Sequence, residues 1–328
     1  MTAQILFDKL TKVDKFNKLF FIDDLLLFSP RQGGNALNTA DYIEKTLKTH
    51  RVSFVSEKFQ TQVPLTVAVL KVDGKKMSCE GCSFLSGKIL GKDAIASSLI
   101  PSRFLIDFSN INFNPKCNGI SVSNFYFSPS IAVSRKDIST IIKAKKIFGQ
   151  VKVKKYKGPS KQILVGNNIN PKNIIFGHYD SIGPGATDNA SGVATMMSVI
   201  VNNHDLLKSN LFVFDGNEEL SYDYPTYWGR GYRIFEKRYK GILEKAKKIF
   251  VVDCVGNGKT SIINDQKIAN LAFPIRSIEK IKEKVFIISG SMERLMRVYH
   301  SEKDVAKEVK KMFLDEAENL LAKELMKK

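Results

Sequence analysis

The sequence predicts an α/β domain built around a largely parallel sheet. Two observations support this prediction. Short apolar segments of strand length recur through the second half of the chain, and amphipathic helical segments separate several of them. Strands that alternate with helices are typical of α/β folds, in which helices cover a mostly parallel sheet.

The first predicted elements precede that alternating region. A helix is predicted from Asn38 or Thr39 to about Thr49, because apolar side chains recur there at helical spacing. Two strand-like segments follow, Arg51–Phe59 and Val63–Val72, and the second is almost entirely apolar. We therefore expect a helix and two strands before the composition of the chain changes.

Residues 73–157 differ in composition from the sequence on either side. They are rich in Ser, Asn and Phe and contain repeated turn signals, including Asn114-Pro115 and Ser128-Pro129. This composition indicates an inserted, mostly β unit. The predicted organisation is a discontinuous main domain, residues 1–72 and 158–328, interrupted by an inserted domain, residues 73–157.

The second half of the chain contains the regular strand and helix pattern. The predicted strands are Gln162–Val165, Asn173–Phe176, Leu211–Phe214, Ile249–Val255 and Val285–Ile288. The predicted helices are Ala190–Asn203, Tyr232–Lys247 and Glu302–Met326. In the last of these the apolar residues fall on one face, as expected of a helix that covers a sheet.

Charge and cysteine content limit the class of protein. Basic residues number 51 and acidic residues 33, so the net charge is +18, but the lysines are spread along the chain and no nucleic-acid-binding motif is present. An ordinary basic protein is therefore favoured over a nucleic-acid binder. No apolar run approaches the ~20 residues of a membrane span, and the N-terminus lacks the layout of a signal peptide. We expect a cytoplasmic protein without a membrane partner.

The four cysteines do not form a disulfide framework at this chain length. Cys79 and Cys82 make one C-x-x-C pair, and no second pair follows at suitable spacing. A single pair is weak evidence for a structural zinc, so an ordinary buried or surface pair is favoured, with a local disulfide as a lesser alternative.

Candidate metal ligands follow the predicted strands. His178 and Asp180 come directly after the strand Asn173–Phe176, and Asp188 precedes the helix that begins near Ala190. In open α/β sheets, sites gather at the carboxyl ends of the strands. A carboxylate beside a ligating imidazole fixes its tautomer and raises its basicity, which gives Asp180 a role next to His178.

Later strands end in the same kind of residue. The strand Leu211–Phe214 is followed by Asp215, Glu218 and Glu219, and an apolar run ends in Asp253. Glu218 and Glu219 are adjacent and point differently, so one can hold a metal while the other handles a proton. His300 follows the last predicted strand after a loop.

Each of these residues alone has a simpler explanation. His178 suits a polar strand end, Asp188 suits a helix N-cap, and Glu218-Glu219 suits a solvated loop. Asp253 is harder to explain, because a carboxylate buried in an apolar run is costly without a partner. All the simple explanations would have to hold together, so a metal site at one edge of the sheet is favoured.

The motifs resemble those of the co-catalytic dizinc aminopeptidases typified by bacterial leucyl aminopeptidase. Their wider superfamily includes glutamate carboxypeptidase, glutaminyl cyclase and the non-catalytic transferrin receptor. The matching motifs are His178-Tyr-Asp180, Gly185-Ala-Thr-Asp188-Asn189-Ala-Ser-Gly192, Asn217-Glu218-Glu219, Val252-Asp253 and Tyr299-His300-Ser-Glu-Lys-Asp304. The resemblance implies a three-layer α/β/α exopeptidase fold.

The resemblance also implies a role for each matching residue. Asp188 would bridge two metal ions, His178 and Asp253 would complete one ion's protein ligands, and Glu219 and His300 would complete the other's. Glu218 would be the general base and then the general acid, with Asp180 supporting His178. The bond from Asp188 to Asn189 would be cis. Mixed imidazole and carboxylate ligands suit Zn²⁺, and also Co²⁺ or Mn²⁺.

These implications favour a zinc aminopeptidase that acts on peptides with a free N-terminus. The alternatives are a carboxypeptidase or glutaminyl cyclase on the same scaffold, or a non-catalytic metal-binding homologue. Arg230 and Arg233 could bind a substrate carboxylate, which would favour a carboxypeptidase. The segment Ser130–Asp137 resembles the end of a protease-associated domain, and an unrelated β insertion is an equal alternative.

The loop after the Glu pair departs from the family pattern. The family usually continues with a Gly-Ser helix start, whereas this chain has an aromatic stretch from Leu220 to Gly231. Its aromatic side chains could line a substrate pocket or pack on the surface. They are Tyr222, Tyr224, Tyr227 and Trp228.

Overall fold

A central sheet lies between two layers of helices. The computed structural model describes residues 16–91, 95–99, 108–223 and 226–327. Its main sheet contains these strands: β1 (Val55–Val72), β2 (Lys75–Met77), β4 (Gly87–Leu90), β8 (Ile147–Gly166), β9 (Asn173–His178), β10 (Asn210–Asp215), β11 (Lys248–Val252), β12 (Ser261–Ile263) and β13 (Val285–Ser289). The order is β12-β13-β11-β9-β10-β8-β1-β2, with β4 paired to β8.

The middle of this sheet is parallel and its two sides are antiparallel. Strands β13, β11, β9 and β10 run in the same direction. Strand β8 is antiparallel to β10 on one side, and β12 is antiparallel to β13 on the other. The predicted α/β class with a parallel centre is confirmed, and the complete sheet is mixed.

Strict alternation along the central strands creates the two faces. In β10, Phe212 and Phe214 enter one apolar core, while Leu211 and Val213 enter the other. All four of these side chains are fully buried. Because successive side chains of a strand point to opposite faces, a strand buried on both sides needs a continuous apolar run, which is what the sequence has here.

The helices divide between the two faces. One layer consists of α1 (Lys18–Leu26), α2 (Gly34–Thr49), α4 (Ser191–Asn202) and α9 (Lys311–Met326). The opposite layer consists of α5 (Arg230–Lys245), α6 (Gln266–Ala272) and α7 (Ile278–Ile281). Helix α2 begins several residues before the predicted Asn38, after Gly33 in a left-handed conformation. No helix among the described residues is long and apolar enough to cross a membrane.

A long antiparallel pair leads from the main sheet towards residues 73–157. Strands β1 and β8 pair without interruption from Val55 opposite Leu164 to Val72 opposite Ile147. The prediction of two shorter strands on the first segment was wrong, because the polar Gln60–Gln62 stretch stays in the ladder opposite 157–159 instead of turning. Strand β8 likewise continues through residue 157, the predicted boundary of the insert.

Residues 73–157 carry a second, smaller sheet. Its order is β3-β7-β6-β5, with bounds Glu80–Gly81, Ser130–Ala132, Asn110–Phe113 and Ile95–Ser97 respectively. A separate apolar core lies beside it, and the short helix α3 (Ile138–Lys143) contributes Ile141. The segment is therefore rich in β structure, and its assignment as an inserted domain resembling a protease-associated domain stays a prediction.

The last helix starts later than predicted. Helix α9 begins at Lys311, not at Glu302, although α8 (Met292–Met296) and a short 3₁₀ turn precede it. The backbone between these elements bonds other segments: Asp304 O accepts from Ala186 N, and Lys310 N donates to Gly256 O. Apolar spacing alone does not reveal such long-range bonds.

Two glycines of α5 give a matched test of the packing at the carboxyl end of β10. A methyl group at Gly231 would lie 2.3 Å from both carboxylate oxygens of buried Asp215, whereas one at Gly241 meets nothing within 4 Å. We expect Gly231→Ala to destabilise the fold by about 1–3 kcal/mol through overpacking. Gly241→Ala should stabilise it by about 0.5–1 kcal/mol through helix propensity.

Thermal or urea unfolding of both variants checks this prediction. Equal and small effects of the two substitutions would contradict the close contact between α5 and Asp215.

Candidate metal centre

The carboxyl ends of three adjacent parallel strands meet at one edge of the sheet. Strand β9 ends at His178, β11 is followed at once by Asp253, and β10 leads through Gly216 and Asn217 to Glu218 and Glu219. Since neighbouring parallel strands end at the same edge, residues far apart in sequence are brought together there.

Asp188 lies at the centre of this cluster. Its Oδ1 is 3.3 Å from His178 Nε2, and its Oδ2 is 3.3 Å from His300 Nε2. His178 Nε2 is also 3.5 Å from Asp253 Oδ1, and His300 Nε2 is 3.0 Å from Glu219 Oε2. Each oxygen of one carboxylate thus faces a different histidine, and each histidine faces one further carboxylate.

The ring orientations leave both Nε2 atoms directed at carboxylates. His178 Nδ1 lies 3.2 Å from its neighbour's carbonyl, Asp180 O, and His300 Nδ1 lies 3.0 Å from Val122 O. A carbonyl oxygen only accepts, so each Nδ1 carries the proton and each Nε2 of the neutral ring presents a lone pair. Buried His300 Nε2 and Glu219 Oε1 have no hydrogen-bond partner among the described residues.

These orphaned atoms fit a cation. Lone pairs of imidazole nitrogen and carboxylate oxygen at 3.0–3.5 Å repel one another unless a proton or a metal ion lies between them. Burial lowers the pKa of His178 and His300, but the surrounding carboxylates outweigh it and raise both pKa values well above the ordinary value, so the cluster favours positive charge at these nitrogens. Nitrogen and oxygen donors in this ratio suit Zn²⁺ and neighbouring divalent ions. Groups within this set, such as His178, Asp188 and Glu219, could hold an ion.

Asp180 connects His178 to the Glu pair. Its Oδ1 accepts from Glu218 N and its Oδ2 accepts from Glu219 N, both at 3.0 Å. The same Oδ1 lies 3.6 Å from His178 Nδ1. This fully buried carboxylate therefore fixes the backbone at both glutamates while it faces the imidazole.

Replacing one oxygen of Asp180 tests this connection. In Asp180→Asn the amide nitrogen would face a backbone N–H, so at least one of the two bonds to Glu218 and Glu219 is lost. We expect kcat to fall by roughly 10–100-fold, as for other groups that orient ligands, with a smaller change in KM. An unchanged kcat in steady-state peptide hydrolysis would contradict this positioning role.

Two further side chains hold the loop that carries Asp188. Asp304 accepts from Thr187 N at 2.8 Å and from Asp188 N at 3.0 Å, one oxygen for each. Asn189 Oδ1 accepts from Gly192 N and Cys254 N, and its Nδ2 donates to Val252 O. The Asp188–Asn189 peptide bond is cis, as the resemblance implies.

Three non-glycine residues beside the cluster have left-handed backbone conformations. They are Asn217 (φ 68°), Cys254 (φ 54°) and His300 (φ 47°). Such conformations are costly for most side chains and persist where surrounding contacts impose them. Asn217, for example, accepts from Thr61 of β1 and donates to Leu220 O at 2.6 Å.

Two carboxylates are the parts of the cluster open to solvent. Glu218 and Asp253 are half-buried, whereas Asp188, Glu219 and both histidines are buried. Withdrawal from water, together with the carboxylates around it, raises the pKa of Glu218 well above its ordinary value. Burial and the adjacent Asp188 raise the pKa of Glu219 to about 7. Glu218 is the acidic group placed to meet an incoming molecule.

Arg31 was not predicted from the sequence as a residue of the site. This fully buried guanidinium donates to Tyr179 O (2.6 Å), Pro184 O (2.6 Å) and Gly185 O (2.9 Å). Burial lowers its pKa to about 10, against the raising effect of the site carboxylates. Arg31 holds the loop between His178 and Asp188 in shape. The Pro30-Arg31 pair lacks any pattern that would have predicted this contact.

The aromatic loop packs against residues 73–157. Tyr222 and Tyr227 contact Phe84, with ring centroids 5.0 and 5.6 Å apart, and Tyr227 also contacts Phe125. Trp228 donates to Leu271 O. Tyr224 lies outside the described residues. The pocket role of these aromatic side chains remains a prediction, and the partners of Tyr222 and Tyr227 include the aromatic rings of residues 73–157.

Arg230 and Arg233 are engaged within the protein. Arg233 is buried and donates to Asp223 Oδ2 (3.0 Å) and Pro274 O (2.9 Å). Arg230 lies 3.2 Å from Asp223 Oδ1 and donates to Gln60 O. Both guanidinium groups are thus paired with Asp223 of the aromatic loop, which weakens the argument for a carboxypeptidase.

Superposition on solved structures identifies the class of fold. A zinc aminopeptidase from Bacillus subtilis superposes with a TM-score of 0.68 and 16% identity, covering 93% of this chain and 92% of that one. An aminopeptidase from Aneurinibacillus sp. strain AM-1 superposes with a TM-score of 0.62 and 16% identity, covering 95% and 93%. A glutaminyl cyclase from Porphyromonas gingivalis superposes with a TM-score of 0.50 and 13% identity, covering 95% and 99%. The chain has the α/β fold of the zinc exopeptidases.

A family model matches part of the sequence. Residues 163–264 match the model of peptidase family M28. This segment contains the His178, Asp188, Glu218-Glu219 and Asp253 motifs, so the resemblance to the co-catalytic zinc exopeptidases is confirmed. The chain is accordingly a metal-dependent peptidase of the hydrolase class. No curated protein sequence matches it.

Proposed function

We propose that this protein is an aminopeptidase that uses two divalent ions, Zn²⁺ in the first instance, to release N-terminal residues from peptides. One observation carries the proposal: the two oxygens of Asp188 face two different imidazoles, each paired with one further carboxylate. A carboxylate that offers one oxygen to each of two such pairs would suit a site for two divalent ions.

The proposed ligands divide into two sets around Asp188. His178 and Asp253 would hold one ion, and His300 and Glu219 the other. Each set would then supply one nitrogen and one terminal carboxylate in addition to the shared Asp188, which leaves room for water and substrate. When bound, the ions would polarise the scissile carbonyl and make water more acidic.

Glu218 would carry the proton between water and product. Its carboxylate takes a proton as the water oxygen attacks the carbonyl carbon of the peptide. The bond from that carbon to nitrogen then breaks, and Glu218 returns the proton to the departing amine nitrogen. No proton is gained or lost over the cycle, and the products are a free amino acid and a shortened peptide. Asp180, through the backbone bonds to Glu218 and Glu219, keeps this carboxylate aimed at the opening.

The aminopeptidase assignment rests on which end of the substrate the site can recognise. A carboxypeptidase needs a cation for the substrate carboxylate, and Arg230 and Arg233 are both occupied by Asp223. Acidic residues dominate the open side of the cluster, and they favour an α-ammonium group. The inserted unit, residues 73–157, would form one wall of the entrance through its contacts with the aromatic loop.

A panel of peptides tests the proposal. Purified protein is stripped of metal, reconstituted with Zn²⁺, Co²⁺ or Mn²⁺, and incubated with matched free and N-acetylated peptides. We expect stepwise release of N-terminal residues from the free peptides alone, and none after chelation. Cleavage of acetylated peptides from the C-terminus would move the assignment to a carboxypeptidase. Loss of ammonia from N-terminal glutamine without hydrolysis would move it to a glutaminyl cyclase.

A further inference from the structure

His300 is attached to the sheet less directly than the other residues of the cluster. His178 ends β9, and Asp253 follows β11 at once, but helix α8 separates His300 from β13. Its backbone is left-handed, with φ 47°. The position of its imidazole must therefore be fixed by contacts other than its own strand.

Those contacts come from residues 114–122, which belong to the segment predicted as an insert. The His300 ring meets Val122 O at 3.0 Å, and Val122 N donates to His300 O at 2.9 Å. Ser121 Oγ donates to Tyr299 O at 2.6 Å, and Ser121 forms an antiparallel bridge with Ser301. We call residues 114–122 the His300 clamp.

Two more bonds fasten the clamp on either side of the histidine. Ile120 N donates to Glu302 Oε2 at 3.0 Å, and Asn114 Nδ2 donates to Met296 O at 3.3 Å. The clamp therefore holds residues both before and after His300. His178, by contrast, meets a carbonyl of its own loop, Asp180 O.

We infer that the His300 clamp sets the affinity for one ion of the pair, the one that His300 and Glu219 would hold, and leaves the other ion's affinity unchanged. This inference rests on the proposed function. The Val122 carbonyl fixes which ring nitrogen carries the proton and where the other nitrogen points. Partners of this kind typically alter metal affinity by roughly 10–100-fold.

Stepwise zinc titration against a chromophoric chelator tests the inference. In Ser121→Ala and in Glu302→Ala we expect one of the two dissociation constants, that of the ion which His300 and Glu219 would hold, to rise roughly tenfold or more, with the other unchanged. Glu302→Gln retains an oxygen that can accept from Ile120 N and should behave nearly as the wild type. The matched control is Ser130→Ala, whose bonds run to Asn110 and Ser128 within residues 73–157.

The possible outcomes distinguish a failure of this inference from a failure of the proposed function. Two bound ions in the wild type, followed by equal losses at both sites or no loss at either in the clamp variants, would overturn the inference alone. A similar selective loss in Ser130→Ala would overturn it too, since the effect would then be general loosening of the segment. Fewer than two ions in the wild type would contradict the proposed function before any variant is made.

Discussion

Glu218→Gln should lose nearly all peptide hydrolysis while it retains the fold and the metal ions. The amide cannot accept a proton from water or return one to the leaving amine, and such proton transfer typically contributes about 10²–10⁴-fold to a rate. Glu218 is half-buried at the open side of the cluster, so an isosteric amide should fit without strain. We expect kcat to fall within that range and KM to change little.

The measurement is steady-state hydrolysis of a free peptide with both ions confirmed by titration. A suitable control is Glu279→Gln, an exposed carboxylate of α7 that pairs with Lys282 on the surface. Activity of Glu218→Gln near that of the wild type would remove Glu218 from the proposed chemistry.

Asp188→Asn should abolish stable binding of both ions together. The amide offers one oxygen in place of two, and its nitrogen would face an imidazole lone pair or an ion. His178 and His300 lie on opposite oxygens of this one carboxylate, so a single substitution reaches both proposed ion positions. We expect hydrolysis to drop to the level of chelated wild-type protein.

Metal content after gel filtration in zinc-containing buffer checks this expectation. Asp205→Asn serves as control, because Asp205 is exposed and pairs with Lys208 on the surface. Retention of two ions by Asp188→Asn would exclude a bridging role for Asp188.

The sequence was sufficient to predict which residues form the cluster and at which edge of the sheet they meet, because these residues follow the ends of strands. His178, Glu219 and Asp253 each follow an apolar run that the sheet buries on both sides. Parallel neighbours end at one edge, so these residues had to meet once the α/β class was established. The implied cis bond after Asp188 is also present.

The residues that orient the cluster could not be predicted in this way. Arg31 acts through three backbone carbonyls about 150 residues away in sequence, as the bonds to Tyr179, Pro184 and Gly185 show. Every residue has a backbone carbonyl, so the sequence does not show which carbonyls will accept these bonds. Asp304 belongs to one of the recognised motifs. Its bonds to Thr187 N and Asp188 N, however, form because the chain around Asp304 is not α-helical as predicted.

Long-range backbone contacts also explain why some predicted strand and helix boundaries were wrong. The Gln60–Gln62 stretch reads as a break between strands, yet its backbone pairs with β8 along the whole ladder. Residues 302–310 read as helix, yet Asp304 O accepts from Ala186 N and Lys310 N donates to Gly256 O. In each case a long-range hydrogen bond decided the conformation against local spacing.

The most direct test of the two-ion centre is a crystal structure of the zinc-loaded protein with anomalous data at the zinc edge. The two-ion centre predicts two anomalous peaks, one on each side of the Asp188 carboxylate, with His178 and Asp253 next to one and His300 and Glu219 next to the other. A single peak, or peaks away from Asp188, would contradict it.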